Sequence, residues 1–189
     1  MPARKLSEVE HAEARLVFGD GLDYDRVRIV EGSYFPPNFI ADIGAFLQGK
    51  KRTWDNAITL GNTTYFPRFL RTTAEDIAQD LTDIGWLMHE LTHVWQYQQV
   101  GWRYLYETLR VQVRLGLAAY DYLGSHRSKQ LALRTAFAEN RRFEDFNFEQ
   151  QGEFARDYYF ALKRNEEPEA WGPYVQPFRL RKRRRNTAV

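Results

Sequence analysis

Apolar residues recur at helical spacing between Ile77 and Trp95, and two histidines lie on the same stretch. The apolar positions are three or four residues apart, and they are Ile77, Leu81, Ile84, Leu87, Met88, Leu91 and Trp95. Such spacing indicates a helix with one face turned to the core. Thr73 can cap the start and Gly101 can end it, so the sequence predicts one helix from Thr73 to Gly101. Any fold of this chain has to bury that helix.

The middle of this helix reads His89-Glu90-Leu91-Thr92-His93, an H-E-x-x-H motif. Four residues make just over one helical turn, so both imidazoles project from the same face and can share one metal ion. Zinc lowers the pKa of a bound water toward about 7, and Glu90 is near enough to take its proton. The motif predicts a zinc site with His89 and His93 as ligands and Glu90 as the catalytic base.

The flanks of the motif favour a buried metal helix over two surface histidines. Glu90 is the only charged residue between Trp86 and Gln98. A chance copy of the motif on an amphipathic helix usually has charged neighbours, because charged residues are rarely buried unpaired.

A catalytic zinc site needs a third protein ligand, with water in the fourth position. Glu149 and Glu153 lie one turn apart in FEQQGEFARDYY, inside a predicted last long helix. We predict Glu149 as the third ligand and Glu153 as an outer carboxylate that orients an imidazole N–H. The alternative is that both are solvated surface carboxylates, and His126, Glu144 and Asp145 are weaker rivals. The third histidine of the metzincin pattern is absent, since His126 is the only one after His93.

Peptide hydrolysis at zinc also needs a donor to the tetrahedral oxyanion, usually a His or Tyr. The candidates are Tyr97, His126, Tyr158 and Tyr159, and we select Tyr158. Aromatic residues make up 15% of the chain, so a single tyrosine is more often a core residue than a catalytic one.

Two short β-prone runs, Ala57–Leu60 and Thr63–Phe66, flank Gly61-Asn62 and predict a hairpin. Its edge could align a peptide by strand addition, although a purely structural hairpin is equally consistent. Alternation of Val27 and Ile29 with arginines predicts a further strand. Helices are predicted at 7–18, with Ser7 and Glu10 as a capping box, and at 102–122, 129–139 and 147–164. The fold class is α+β: one mostly helical domain with a small antiparallel sheet before the H-E-x-x-H helix.

Composition bounds the domain organisation and the compartment. The 189 residues suffice for one domain, which we place at 1–165, followed by a proline-containing wrap and a basic disordered tail at 166–189. There are no cysteines, which excludes disulfides and thiolate metal sites. No apolar run could cross a bilayer, and the N-terminus lacks the apolar core of a signal peptide. Synthesis in the cytoplasm is expected, and export by a machine that needs no cleavable signal stays open.

The last eleven residues, 179–189, carry six basic residues and no acidic ones, against a net charge of +2 for the whole chain. The remainder of the chain is therefore acidic, which argues against a general nucleic-acid-binding protein.

The order of these motifs resembles a zincin-like domain of unknown function found in proteins of extracellular contractile injection systems. The strings NAITLGNTTYF and WLMHELTHVWQYQ carry that likeness. The chain is still more similar to the bacterial proteins called Vgr-related, through VFGDGLDYDRVR, HELTHVWQ and EQQGE in the same order. The resemblance covers about residues 10–160.

This resemblance implies His89 and His93 as metal ligands, Glu90 as the catalytic glutamate and Glu149 as the third ligand of a gluzincin. Gly152 stands where the family usually has Ala, and Glu153 where it usually has Asp. The sequence thus predicts a zinc-dependent peptidase acting on a peptide or protein. The alternative is a non-catalytic, zinc-stabilised adaptor module of a bacterial secretion or contractile injection system.

Overall fold

A computed structural model describes residues 2–32 and 57–180. The chain order of helices and strands is α1 Glu8–Phe18, β1 Arg28–Val30, β2 Ile58–Leu60, β3 Thr63–Tyr65, α2 Ala74–Gln79, α3 Thr82–Val100, α4 Arg103–Leu115, α5 Lys129–Ala138, α6 Phe148–Arg164 and α7 Gly172–Arg179. Short 3₁₀ helices cover Tyr24–Arg26, Gly116–Tyr120, Phe143–Asp145 and Pro168–Trp171. The predicted class, mostly helical α+β, is confirmed. No helix of the described ranges is both long and apolar enough to cross a membrane.

The sheet has the strand order β1-β3-β2. The predicted hairpin is confirmed, because β2 and β3 pair antiparallel with Thr59 opposite Thr64. The third strand, β1, pairs parallel with β3, which makes the sheet mixed. Strand β2 lies at an edge of the sheet, beside the helix that carries the H-E-x-x-H motif.

The predicted capping box of α1 is confirmed. The Ser7 side chain accepts from the Glu10 backbone N–H, and the Glu10 carboxylate accepts from the Ser7 N–H. Glu10 is fully buried, and it also accepts bonds from Arg4 at 2.6 and 2.8 Å and from the Thr72 hydroxyl at 2.7 Å. This carboxylate therefore ties the start of α1 to the segment before α2.

Substituting Glu10 by Gln is expected to destabilise the fold by about 2–3 kcal/mol near neutral pH, because Arg4 loses a buried but partly solvent-screened partner. Burial raises the pKa of Glu10, but the hydrogen bonds from Arg4, Ser7 and Thr72 have the larger, opposite effect. The net pKa is therefore below its ordinary value of 4.5. A lowered pKa contributes stability above the ordinary pKa, and this stability is lost as the pH falls below it. Urea unfolding at pH 7 and near pH 3 should show the difference shrinking in acid. An unchanged difference, or an equal loss in the exposed control Glu8→Gln, would contradict this account.

The predicted helix from Thr73 to Gly101 is divided in two. Thr73 caps α2 as predicted, but the chain is extended at Asp80 before α3 begins. The Asp80 carboxylate accepts from the Thr82 backbone N–H at 2.9 Å and from its hydroxyl at 2.7 Å. A short acidic side chain that bonds the backbone two residues later favours a turn over a continuous helix.

Helices α3 and α6 pack closely side by side at the centre of the core. Gly85 lies against the end of the Phe160 ring, where a Cβ would require that ring to shift. The close packing of the two helices positions the residues of the site.

The proline-containing segment placed after residue 165 is helical in its described part, with a 3₁₀ helix at Pro168–Trp171 followed by α7. Trp171, Tyr174 and Phe178 are buried in the same core as α3 and α6. Pro173 lies in the first turn of α7, where proline is compatible with a helix because no N–H bond is lost. The rest of the basic tail, from residue 181, lies outside the described residues.

Candidate metal site

The packing of α3 on α6 brings together the three residues that the sequence selects as metal ligands. His89 and His93 lie one turn apart on α3, and Glu149 lies in the first turn of α6. All three are buried and could hold a metal ion. His89 and Glu149 are 60 residues apart in the sequence. The cluster therefore forms only through the tertiary fold.

The three donor atoms form a nearly equilateral triangle. His89 Nε2 lies 3.2 Å from His93 Nε2 and 3.2 Å from Glu149 Oε2. The distance from His93 Nε2 to Glu149 Oε2 is 3.5 Å. The donors therefore converge on one point.

A chain of two glutamines fixes the ring of His93. The side-chain oxygen of Gln96 lies 2.8 Å from His93 Nδ1, and because an amide oxygen only accepts, Nδ1 donates this bond and Nε2 is the nitrogen that faces Glu149. Gln96 Nε2 donates to the Phe148 carbonyl and to the side-chain oxygen of Gln151, both at 3.0 Å. Gln151 in turn donates to the Phe146 carbonyl. Sequence reasoning missed both glutamines, although Gln96 stands three residues after His93.

Glu153, which the sequence predicts as an outer carboxylate, lies beside the ring of His89. Its Oε1 is 3.1 Å from His89 Nδ1, a close contact whose direction is not that of a formed hydrogen bond. Its other oxygen contacts Arg156. A Cβ at Gly152 would lie 2.7 Å from His89 Cε1, so the glycine at this position leaves room for the ring.

The buried carboxylates stabilise positive charge on the imidazoles. Burial lowers the pKa of His89, but its contacts with Glu149 and Glu153 and the charge of Glu90 raise it overall, to about 10. The pKa of His93 is raised as well, because the charge of Glu149 outweighs the effect of burial. Burial raises the pKa of Glu149, but the two histidines have the larger, opposite effect and hold that pKa well below its usual range. The buried carboxylates therefore make the site negative, and a proton or a metal cation can neutralise it.

Glu90 is buried beside the donor triangle and is not part of it. The Thr59 hydroxyl on β2 donates to Glu90 Oε2 at 2.7 Å. The Thr59 carbonyl accepts from the Tyr104 hydroxyl at 2.6 Å. The Thr59 carbonyl on β2 therefore already has a side-chain partner from α4.

The long aromatic segment after Gly101 forms one wall of the site. On α4, the Tyr104 ring stacks on His93 with centroids 6.1 Å apart, and Gln112 donates to Glu149 Oε1. Gln112 also donates to the Tyr120 hydroxyl at 3.1 Å, and the Tyr120 ring lies 5.9 Å from that of His89. Sequence reasoning did not select Tyr104, Gln112 or Tyr120.

The structure does not bring Tyr158 to the metal-binding group. Its hydroxyl accepts a hydrogen bond from Arg179 at 2.9 Å. An α-helix turns by about 100° per residue, so Tyr158 lies on the opposite side of α6 from Glu149. The hydroxyl of Tyr159 donates to Glu13. We therefore withdraw Tyr158 as an oxyanion donor, and the reason is that its face of α6 packs against α7.

The remaining rivals also lie outside the cluster. Glu144 and Asp145 are exposed in a 3₁₀ helix, where Asp145 accepts from the Arg142 backbone N–H. His126 lies in the loop before α5, with its N–H bonded to the Leu123 carbonyl. Tyr97 packs its ring against Trp102.

Comparison with known proteins connects this site to a secretion apparatus. No protein-family model matches the chain. The chain is 34% identical over 171 residues to the type VI secretion system spike protein VgrG2b of Pseudomonas aeruginosa. It is similar to the solved effector domain of that protein, with a TM-score of 0.59 and 30% identity, over 90% of this chain and 80% of the domain. The chain belongs to the VgrG2b effector-domain family.

Membership of the VgrG2b effector-domain family confirms the association with Vgr proteins that the motifs indicate. The match covers 88% of this chain but only 14% of the whole spike protein. The likeness therefore concerns the effector domain, and it does not extend to the remainder of the spike.

Proposed function

We propose that this chain is a zinc-dependent peptidase of the gluzincin type. The donor triangle carries the proposal. In a tetrahedral site with zinc–ligand bonds of about 2.0–2.1 Å, neighbouring donors lie about 3.3–3.4 Å apart. The observed separations of 3.2, 3.2 and 3.5 Å match those edges. Two imidazoles and one carboxylate are also a donor set that catalytic zinc prefers.

The charges around the triangle support a divalent cation. Among the described residues, three buried carboxylates, those of Glu90, Glu149 and Glu153, surround the histidines. Arg156 contacts Glu153 and offsets one of these charges. Buried charges need partners, and a divalent ion would neutralise the two that remain.

Each residue has a chemical task in this proposal. When bound, zinc acts as a Lewis acid toward the scissile carbonyl and the attacking water. Glu90 accepts a proton from that water as the oxygen bonds to the carbonyl carbon, and delivers it to the leaving nitrogen as the C–N bond breaks. Burial and the charges of Glu149 and Glu90 raise the pKa of Tyr120 well above its usual range. Its hydroxyl therefore stays protonated and can donate to the oxyanion, in place of Tyr158.

The likeness to the VgrG2b effector domain favours the role of a secretion-system effector acting on a peptide or protein substrate. Export without a cleavable signal, by the injection machinery itself, fits that role. The second candidate is an adaptor that keeps zinc only for folding or docking, and the description of its relative as a spike protein favours it.

Cleavage of a broad peptide library decides between these two functions. The zinc-loaded chain is expected to cut defined bonds, to stop when a chelator removes the metal, and to recover when zinc is returned. Mass spectrometry of the products and metal analysis of the same samples give the two readouts. A folded protein with one zinc per chain that cuts nothing in the library would contradict the peptidase proposal and favour the adaptor.

A further inference from the structure

The geometry points to Thr59 as the residue that positions Glu90 for proton transfer. This inference rests on the proposed peptidase function. Within residues 2–32 and 57–180, the bond from the Thr59 hydroxyl is the only hydrogen bond to the Glu90 carboxylate. Glu90 is buried, so this bond lies largely out of bulk solvent.

A threonine hydroxyl has one proton to donate. Donation to Glu90 Oε2 fixes one carboxylate oxygen and leaves Oε1 without a hydrogen-bond partner among the described residues. A glutamate with free rotation about three side-chain bonds would otherwise have to be ordered in each turnover. Thr59 thus holds the carboxylate in one orientation before the substrate binds, which is how a base gains from preorganisation.

The backbone of Thr59 is held on both sides. It lies opposite Thr64 in the β2–β3 hairpin, and its carbonyl accepts from Tyr104. Threonine is also stiff at χ1, because it is branched at Cβ. Tyr104 also stacks on His93. Through Tyr104, the position of the Thr59 hydroxyl is therefore linked to His93 as well as to Glu90.

The test is the substitution Thr59→Val, which removes the hydroxyl and keeps the shape, with Thr59→Ser to restore the hydroxyl. Thr64→Val is the matched control, because Thr64 is a buried threonine on the neighbouring strand. Among the described residues its hydroxyl makes only a long contact, with the Arg28 carbonyl. Loss of a hydrogen bond to a charged group corresponds to a fall of about 10–100-fold. We expect that fall in the kcat of Thr59→Val, with KM and zinc content unchanged, and near-normal kcat in Thr59→Ser and Thr64→Val.

Crystal structures of zinc-loaded wild type and Thr59→Val give a second readout that does not depend on activity. The Glu90 carboxylate is expected to leave its position, or to occupy several, in Thr59→Val alone. An unmoved carboxylate in Thr59→Val, or a kcat equal to that of wild type, would overturn the role of Thr59. If wild type itself cleaves nothing, the peptidase proposal fails, and the crystal structures still decide whether Thr59 orients Glu90.

Discussion

Substituting Glu90 by Gln is expected to remove peptide cleavage while leaving the metal bound. Glutamine keeps the shape of the side chain, and its oxygen can still accept from Thr59. It cannot take a proton from water, however, and a positioned general base contributes about 10²–10⁴ in rate. The metal stays because Glu90 is outside the triangle of His89, His93 and Glu149. Measurements of kcat/KM on the best library peptide and of zinc per chain check both parts.

Glu139→Gln is a suitable control for this experiment, since Glu139 is an exposed residue at the end of α5. It should retain full activity. Wild-type cleavage by Glu90→Gln would show that another group is the base. Loss of zinc from Glu90→Gln would instead mean that the carboxylate helps to bind the metal, and that the donor triangle is incomplete.

Glu149→Gln is expected to weaken zinc binding far more than Glu153→Gln. Glu149 offers a donor atom to the triangle, whereas Glu153 acts through the ring of His89. Outer partners of metal ligands contribute about 10–100-fold in affinity. The zinc dissociation constant of Glu153→Gln should rise by that amount, and that of Glu149→Gln by more. Competition with a chromophoric chelator measures both constants.

The control for the two carboxylates is Glu144→Gln, because Glu144 is exposed and lies outside the cluster. Its zinc affinity should equal that of wild type. If Glu153→Gln lost more affinity than Glu149→Gln, the two glutamates would have exchanged roles, and α6 would have to rotate relative to α3 on metal binding. Circular dichroism of each variant confirms that the helices remain folded.

Local features of the chain were predictable because they depend on neighbours in sequence. The capping box of Ser7 and Glu10, the hairpin around Gly61-Asn62 and the shared face of His89 and His93 each involve residues within a few positions. Such features follow from backbone geometry and hydrogen bonding alone. The division of the helix at Asp80 is also local, but the apolar repeat across it indicated a continuous helix.

Glu149 is an intermediate case. Periodicity placed it on one face of a helix with Glu153, and the resemblance to known proteins singled it out. The contact between His89 and Glu149, 60 residues apart, exists because α6 packs against α3 in the core. Tyr158 was the wrong choice for a local reason, because nine residues of helix separate it from Glu149 and place the two on opposite faces of α6.

The sequence by itself determined how His89, Glu90 and His93 lie relative to one another, because 3.6 residues per turn place them on one helix in a fixed relation. Only the tertiary structure decided what surrounds them. Thr59, Gln112 and Tyr120 come from a strand, a helix and a 3₁₀ turn that meet at the site through core packing. Contacts of that kind depend on how the apolar faces of all the elements fit together, and no short stretch of sequence encodes that fit.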